Sequence, residues 1–243
     1  MKKINKKIRQ SIKIAQRAQR NYDLSKSIPF DDLKTLIFAA KNSPSKQNET
    51  HYALHVYTDT DKIRKVYNCT KRFGLGSLHD NKIYKEINGK FWQNKEKSVH
   101  NSQILSNALF VYTDDIGDLR GGEHVLGQKN LKGTCAKTLQ EQKSYSIGIS
   151  IGELILSATM LGYRTGICSA FTKEIYNVIG LDKEIKVLVG IGYPNSDIDR
   201  KFHAETKNIE VPPGFETGLP HENWMFPSFE KKCKVYLNDT PYN

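Results

Sequence analysis

Residue types that carry nucleophilic or metal chemistry are scattered through this sequence of 243 residues. The cysteines form no Cys-x-x-Cys pair, which argues against a disulfide scaffold and against a clustered zinc site; they are Cys69, Cys135, Cys168 and Cys233. The histidines show no His-Glu-x-x-His spacing, the pattern that puts two imidazoles on one helix face. No Ser-His-Asp or Cys-His arrangement can be defended. We therefore predict no metal site, no catalytic side chain and ordinary thiols in a reducing compartment.

Basic residues are in excess, and the excess favours an anionic partner. The formal net charge is +11 and the isoelectric point is about 9.3, values that suit nucleic acid, an anionic membrane or a phosphorylated small molecule. Part of the excess lies in residues 1–20, where Ile4, Ile8 and Ile12 recur at helical spacing. This pattern predicts a basic amphipathic N-terminal helix, either a packing arm with a solvated basic face or a surface for nucleic acid or lipid.

Apolar residues do not accumulate into a membrane span. The chain has no run of 18 apolar residues, and its cationic N-terminus lacks the apolar stretch of a secretory signal. We therefore expect a cytoplasmic protein without membrane insertion.

The first half of the chain predicts a helix, a polar loop and a strand. A helix follows the acidic cap at 31–32, because apolar residues fall on one helical stripe: Leu33, Leu36, Ile37 and Ala40. The residues Asn-Ser-Pro-Ser at 42–45 end it, and 52–59 alternate as in a strand. Residues 61–68 predict another short helix. Periodicity does not resolve 74–100, a polar segment that we treat as variable.

The second half predicts a buried strand, a long loop and a central helix. Residues 108–115 are a compact apolar run that ends in acidic residues, as a buried strand does. A Gly-rich variable segment, 116–145, follows; such loops are mobile lids or insertions without chemistry. A broad apolar face then predicts a central helix over 146–161, ended by Gly162; its members are Ile147, Ile151, Leu154, Ile155, Ala158 and Leu161.

The remaining segments complete one α+β domain over 1–243. Residues 166–171 predict a short extended piece, and Thr172 a cap for a helix that ends before Gly180. The run at 185–194, Ile-Lys-Val-Leu-Val-Gly-Ile-Gly-Tyr-Pro, is the strongest strand signal in the chain. The aromatic C-terminal extension, 212–243, lacks periodicity, and we expect it to cover a surface such as that of a partner subunit.

Three separated segments resemble the nitroreductase-like FMN-dependent oxidoreductase family, in the order expected. Residues 16–52 are similar to its N-terminal basic motif, first helix and Pro-Ser-x-x-Asn-x-x-x-aromatic loop. Residues 101–115 are similar to a segment in which an Asn precedes a short helix and a buried strand. Residues 146–194 are similar to the central helix, the Gly-hinged loop that faces the flavin, the Leu-Gly helix and the Gly-Tyr-Pro strand end. The resemblance implies a nitroreductase-like α+β fold, with a central, mainly antiparallel sheet flanked by helices, in an intertwined homodimer.

Flavin mononucleotide (FMN) is the cofactor that this resemblance implies, and its chemistry asks for cations. FMN carries a dianionic phosphate, and the reduced ring is anionic near N1 and O2. Arg20 matches the basic position near N1 and O2, and Arg17 is adjacent to the phosphate position. Where the family usually has an Arg and a Ser, this chain has Gln16 and Ala18. The resemblance therefore assigns the phosphate to Arg17 and to the basic cluster Arg200 and Lys201, with Lys207 as a further candidate; the alternative is an exposed charged turn at 200–201.

Further cofactor contacts are implied by the loops. The loop from Pro44 to Asn48 presents binding groups between two secure elements, or is simply a helix stop and turn. Asn101 meets the pyrimidine edge of the flavin, or caps a helix. The backbone at 167–170 approaches N5, which small residues permit, or is merely close-packed; Cys168 is expected to be a buried small hydrophobe rather than a redox group. The predicted cofactor-binding residues are Gln16, Arg17, Ala18, Arg20, Pro44, Ser45, Lys46, Asn48, Asn101, Cys168, Ser169, Ala170, Arg200 and Lys201.

The implied function is hydride transfer from NADH or NADPH to FMN and then to a small aromatic acceptor, by a ping-pong mechanism. The acceptor is a nitro compound, a quinone or another flavin. One alternative keeps the fold and changes the flavin chemistry, to that of a dehalogenase, a flavin destructase or a heterocycle dehydrogenase. Another is a non-catalytic basic protein that binds nucleic acid or membrane, although the sequence lacks a recognisable RNA- or DNA-binding motif.

Overall fold

A four-stranded antiparallel sheet forms the centre of the molecule. The computed structural model describes residues 2–45, 48, 50–71, 73–74, 98–115, 134–197, 200, 235–237 and 240–242. The sheet has the order β1-β4-β6-β5, and its strands are β1 (Tyr52–Tyr57), β4 (Ala108–Asp114), β5 (Arg164–Cys168) and β6 (Ile185–Gly192). All three pairings are antiparallel. The strands predicted at 52–59, 108–115 and 185–194 are therefore confirmed, as is the α+β class with a mainly antiparallel sheet.

Helices cover both faces of this sheet. They are α1 (Lys2–Ala15), α2 (Phe30–Lys41), α3 (Thr60–Asn68), α4 (Thr134–Met160) and α5 (Glu174–Ile179), and a 3-10 helix spans Ser102–Ile104. On one face the buried core includes Leu36 of α2 and Leu154 of α4. On the other it includes Ile63 of α3, Ile175 of α5 and Ile104 of the 3-10 helix. The short strands β2 (Phe73–Gly74) and β3 (Ser98–Val99) pair with each other, as do β7 (Val235–Leu237) and β8 (Thr240–Tyr242).

The sequence-based helix boundaries need two corrections. The N-terminal helix ends at Ala15 rather than at residue 20, because residues beyond it turn and bond to a strand of the sheet. The central helix begins at Thr134, twelve residues before the predicted start. Residues 134–145 are rich in good helix formers but have no apolar face at helical spacing. Their pattern therefore predicted part of the variable segment 116–145 rather than a helix.

Two predicted caps are also wrong. Asp31 and Asp32 lie in the first turn of α2, where their charges favour the helix dipole, but the cap is Pro29 and no side chain bonds there. The N-cap of α5 is Lys173 rather than Thr172. The Thr172 hydroxyl donates instead to the Cys69 carbonyl oxygen at 3.2 Å. The glycine prediction holds, since Gly180 ends α5 in the left-handed region at φ 77°.

Most of the two variable segments, 74–100 and 116–145, and of the C-terminal extension lies outside the described residues. Within the described part of the chain, no helix is long and apolar enough to cross a membrane.

Candidate functional site

A short backbone pairing brings the N-terminal basic segment to the edge of the sheet. Ala18 forms a parallel bridge with Thr165 of β5, and the Gln19 backbone N–H donates to the Thr165 carbonyl oxygen at 2.8 Å. Farther along, Tyr22 bridges Pro194, and its buried hydroxyl donates to the Gln103 carbonyl oxygen at 3.0 Å. Residues 17–22 therefore run beside β5 and across the end of β6. Gln16, half-buried, precedes this segment at the last turn of α1.

Arg20 is a buried cation within this segment. Its side chain is 8% exposed, and the Ser102 hydroxyl donates to its backbone carbonyl oxygen at 2.6 Å. Burial of the guanidinium and, second, the charge of Arg200 lower the pKa of Arg20 to about 10, against a smaller opposing effect of Tyr22. Arg20 thus remains protonated at neutral pH. Arg200 follows the end of β6 and is close enough to Arg20 to affect its pKa, whereas the resemblance assigned Arg200 to the phosphate. Lys201 lies outside the described residues.

A second arginine pair, Arg17 and Arg164, lies one residue before the bridge between Ala18 and Thr165. Arg17 precedes Ala18, and Arg164 precedes Thr165, so the bridge brings the two arginines close together. Partial burial and, second, the charge of Arg17 lower the pKa of Arg164. Sequence reasoning missed Arg164, because the pairing that places it beside Arg17 joins segments that are distant in the chain. Two pairs of like charges at one edge of the sheet attract an anion.

The 3-10 helix lies flat against the sheet beside Arg20. It can approach because Gly166 and Gly190, paired across β5 and β6, have no side chains. A Cβ built at Gly166 would lie 2.6 Å from the Gln103 carbonyl oxygen, and one at Gly190 would collide with the same atom. Asn101 is the N-cap of this helix, and its side-chain oxygen accepts from the Gln103 backbone N–H at 3.1 Å. Asn101 therefore caps the 3-10 helix, which was one of its two predicted roles.

Small residues end β5 close to Asn101. Cys168 is 2% exposed, and its thiol donates to the Ala170 carbonyl oxygen at 3.4 Å. Burial raises the pKa of Cys168, and hydrogen bonding with the Ala170 backbone and the Asn101 side chain opposes that rise. The buried thiol is thus a poor nucleophile at neutral pH, as expected. Ser169 and Ala170 are exposed, and the Ala170 carbonyl oxygen also accepts from the Lys71 backbone N–H at 3.0 Å.

The loop from Pro44 to Asn48 lies elsewhere. It precedes β1, which is the edge strand opposite β5, and three strand spacings of ~4.8 Å separate the two edges by about 14 Å. It also lies at the other end of the sheet, since Tyr52 pairs with Asp114 whereas Arg164 pairs with Gly192. Within one chain, therefore, the loop and the arginines occupy diagonally opposite corners.

The loop has a defined geometry of its own. The Thr50 backbone N–H donates to Ser45 Oγ at 3.2 Å, and Asn48 adopts a left-handed conformation with φ 57°. Asparagine tolerates that conformation better than most residues. Pro44 and Asn48 are exposed and Ser45 is half-buried, while Lys46 lies outside the described residues. The predicted site residues thus lie along two opposite edges of the sheet, the loop at the β1 edge and the others at the β5 edge, where Arg17 and Arg164 occupy the corner farthest from the loop.

Comparison with known proteins identifies the fold. No protein-family model and no curated protein matches this chain. A nitroreductase family protein from Clostridium novyi NT is similar in structure over 78% of this chain and 86% of its own, at 17% identity and a TM-score of 0.52. A provisionally named NAD(P)H:FMN oxidoreductase from Staphylococcus epidermidis ATCC 12228 covers 84% and 95%, at 16% identity and 0.53.

A third structure was solved with a ligand. It is a provisionally named nitroreductase from Desulfovibrio desulfuricans in complex with FMN, similar over 84% of this chain and 96% of its own, at 11% identity and a TM-score of 0.50. Identities this low carry information about architecture rather than chemistry. Together with the antiparallel sheet and its flanking helices, they show that this chain has the nitroreductase fold.

Proposed function

We propose that this protein is a cytoplasmic, FMN-dependent oxidoreductase that takes hydride from NADH or NADPH and reduces a small aromatic acceptor such as a nitro compound, a quinone or a flavin. The observation that carries the proposal is buried, protonated Arg20, whose backbone is bonded by Ser102 of the 3-10 helix and which lies three residues after Arg17. The names of structurally similar proteins, one of them bound to FMN, support it. The free, buried thiols of Cys69 and Cys168 suit a reducing compartment.

The donor set fits FMN at both ends. The phosphate needs cations, and the reduced ring needs a cation near N1 and O2. Arg17 and Arg20 are three residues apart in a segment that spans at most about 10 Å, a separation that the ribityl chain can bridge. Arg20 then serves the ring and Arg17 the phosphate, with Arg200 and Lys201 adding positive charge. FMN supplies the hydride-accepting atom, N5, when it is bound.

The chain's own residues bind and orient in this proposal. Ser102 fixes the backbone of Arg20, and Arg20 holds positive charge where the reduced ring becomes negative. Asn101 and the exposed residues Ser169 and Ala170 lie close together, because the Asn101 side chain hydrogen-bonds the thiol of Cys168. These groups offer hydrogen bonds along the polar edge of a flavin. None of them acts as a nucleophile.

We further propose a homodimer with FMN at the subunit interface. The loop from Pro44 to Asn48 is diagonally opposite Arg17 and Arg20 in one chain, so a second copy is needed to bring the two groups together. Apolar side chains available for such an interface are exposed on two helices: Ile4, Ile8 and Ile12 on α1, and Tyr145, Ile149 and Met160 on α4. The C-terminal extension, 212–243, is proposed to cover the partner. An obligate interface of this kind should exceed roughly 1,600 Å².

The visible spectrum of the purified protein tests the proposed cofactor and donor. We expect flavin bands that are bleached by NADH or NADPH without air, are unaffected by NAD⁺, and return when a quinone or nitroaromatic is added. Steady-state double-reciprocal plots should be parallel, as a ping-pong mechanism requires. A spectrum that stays featureless after FMN addition would refute the proposal. If flavin bands are present but neither NADH nor NADPH bleaches them, the proposed hydride donor is wrong while FMN remains the cofactor.

A further inference from the structure

The bridge between Ala18 and Thr165 has a consequence for the residues that precede it. In a parallel pairing, residues one position before the bridged pair are also neighbours. Arg17 and Arg164 hold those positions. The neighbours of Arg17 in sequence, Gln16 and Ala18, carry no charge. A second cation beside Arg17 therefore comes from β5 rather than from the N-terminal segment.

Arg164 has donors available for a ligand. Its Nη1 donates to the carbonyl oxygens of Gly162 at 3.2 Å and Tyr163 at 3.0 Å. Among the residues that the structure describes, these two backbone groups are its only hydrogen-bond partners, and no carboxylate pairs with it. A guanidinium has five N–H donors in a planar fork, so Nε and Nη2 remain for an anion. The two carbonyl contacts hold the fork in place without neutralising its charge.

The like charges of Arg17 and Arg164 repel each other in a partly buried position. The lowered pKa of Arg164 has this repulsion as one of its causes, after burial. An anion bound between the two guanidiniums removes the repulsion and gains charge-assisted hydrogen bonds. A phosphate dianion suits a pair of cations better than a carboxylate does, because it carries more charge and more acceptor oxygens.

We propose that Arg164 and Arg17 together bind the phosphate of FMN, so that Arg164 is a specificity residue for the phosphorylated flavin. This inference rests on the proposed function. Arg20, three residues along the same segment, serves the ring. Arg164 therefore contacts the phosphate and does not contact the isoalloxazine.

Comparing FMN with riboflavin isolates the phosphate. The dissociation constants of both flavins should be measured by quenching of flavin fluorescence for the wild type and for Arg164→Gln, Arg164→Lys and Arg64→Gln. Losing a charge-assisted contact should weaken FMN binding by roughly ten- to a hundredfold, while riboflavin binding changes less than about twofold. Arg164→Lys should keep part of the preference for FMN. Arg64, exposed on α3, is the matched control and should change neither constant.

The outcomes separate the two levels of the proposal. If the wild type binds FMN and Arg164→Gln binds it equally well, Arg164 does not contact the phosphate. If Arg164→Gln weakens FMN and riboflavin alike, Arg164 acts through the structure of β5, and the inference is overturned while the proposed function stands. If the wild type binds neither flavin, the proposed function fails and this inference fails with it. Circular dichroism of each variant establishes that it is folded before binding is compared.

Discussion

The Ser102 hydroxyl donates a 2.6 Å hydrogen bond to the backbone carbonyl oxygen of Arg20, and both residues are buried. The bond joins the 3-10 helix to the basic N-terminal segment across 82 positions of sequence. It is the structural link between the capping residue Asn101 and the cation proposed to serve the flavin ring.

Replacing Ser102 with Ala should destabilise the protein and loosen Arg20. The Arg20 carbonyl would lose its partner in a buried position, at a cost of about 1–3 kcal/mol in the free energy of unfolding. Urea denaturation followed by circular dichroism measures this cost, with Ser27→Ala, at an exposed position, as the control. An unchanged denaturation midpoint would show that water or another donor replaces the hydroxyl.

Arg20→Ala should weaken FMN binding and lower the reduction potential of the bound flavin. A nearby cation favours the reduced ring, so its loss favours the oxidised form. We expect a decrease of roughly 30 mV or more, since 30 mV corresponds to ~1.4 kcal/mol for a two-electron couple. The measurement is a spectroscopic titration with a reference dye. Arg20→Lys is the matched variant, and its bound flavin should have a reduction potential close to that of the wild type. An unchanged reduction potential in flavin-loaded Arg20→Ala would place Arg20 away from the ring.

Mixing two inactive variants should regenerate activity if the site is shared between subunits. Asn48→Ala damages the loop at one corner of the sheet, and Arg20→Ala damages the opposite corner. A heterodimer of the two would contain one intact site and one doubly damaged site. NAD(P)H oxidation after subunit exchange should therefore exceed that of either parent alone.

The control for mixing is a pair of variants at the same corner, Arg17→Ala with Arg20→Ala, which should restore nothing. Sedimentation that gives an active, flavin-loaded monomer would exclude a shared site. If the protein is a dimer and mixing Asn48→Ala with Arg20→Ala also restores no activity, the Pro44 loop and Arg20 do not belong to one site shared between subunits.

Gly190→Ala should destabilise the sheet beside the 3-10 helix. The added methyl group would collide with the Gln103 carbonyl oxygen, and backbone cannot move aside as a side chain can. Overpacking of this kind costs about 1–3 kcal/mol. Thermal unfolding measures the loss. Ser27→Ala, at an exposed position outside the sheet and its helices, is the control. Equal unfolding temperatures for Gly190→Ala and the wild type would mean that the 3-10 helix shifts freely.

Local patterns in the sequence predicted much of the fold. Burial requires apolar residues, so the sequence predicted the apolar runs of β4 and β6 and the apolar face of α2. The first part of α4 was not, since its helix formers show no apolar period. The cap at Thr172 was wrong because its hydroxyl bonds a carbonyl from a distant segment, Cys69, which no local pattern reveals.

The candidate site was predictable only in part, for the same reason. The resemblance in sequence assigned Arg20 to the flavin ring and Arg200 to the phosphate, and the structure adds that Arg200 is close enough to lower the pKa of Arg20. Arg164 was not foreseen, because its importance depends on a bridge between residues 18 and 165. The position of the Pro44 loop at the far corner depends on strand order, which spacing along the chain does not determine.

The glycine pair beneath the 3-10 helix also makes two positions of the sequence dependent on each other. Gly166 and Gly190 are opposite each other in the sheet, and one carbonyl, that of Gln103, obstructs a side chain at either position. Once one substitution has pushed that carbonyl away, the second meets less resistance. The two alanine substitutions should therefore show epistasis, with a combined cost smaller than the sum of the single costs. A tolerated residue at one glycine is then a reason to expect variation at the other.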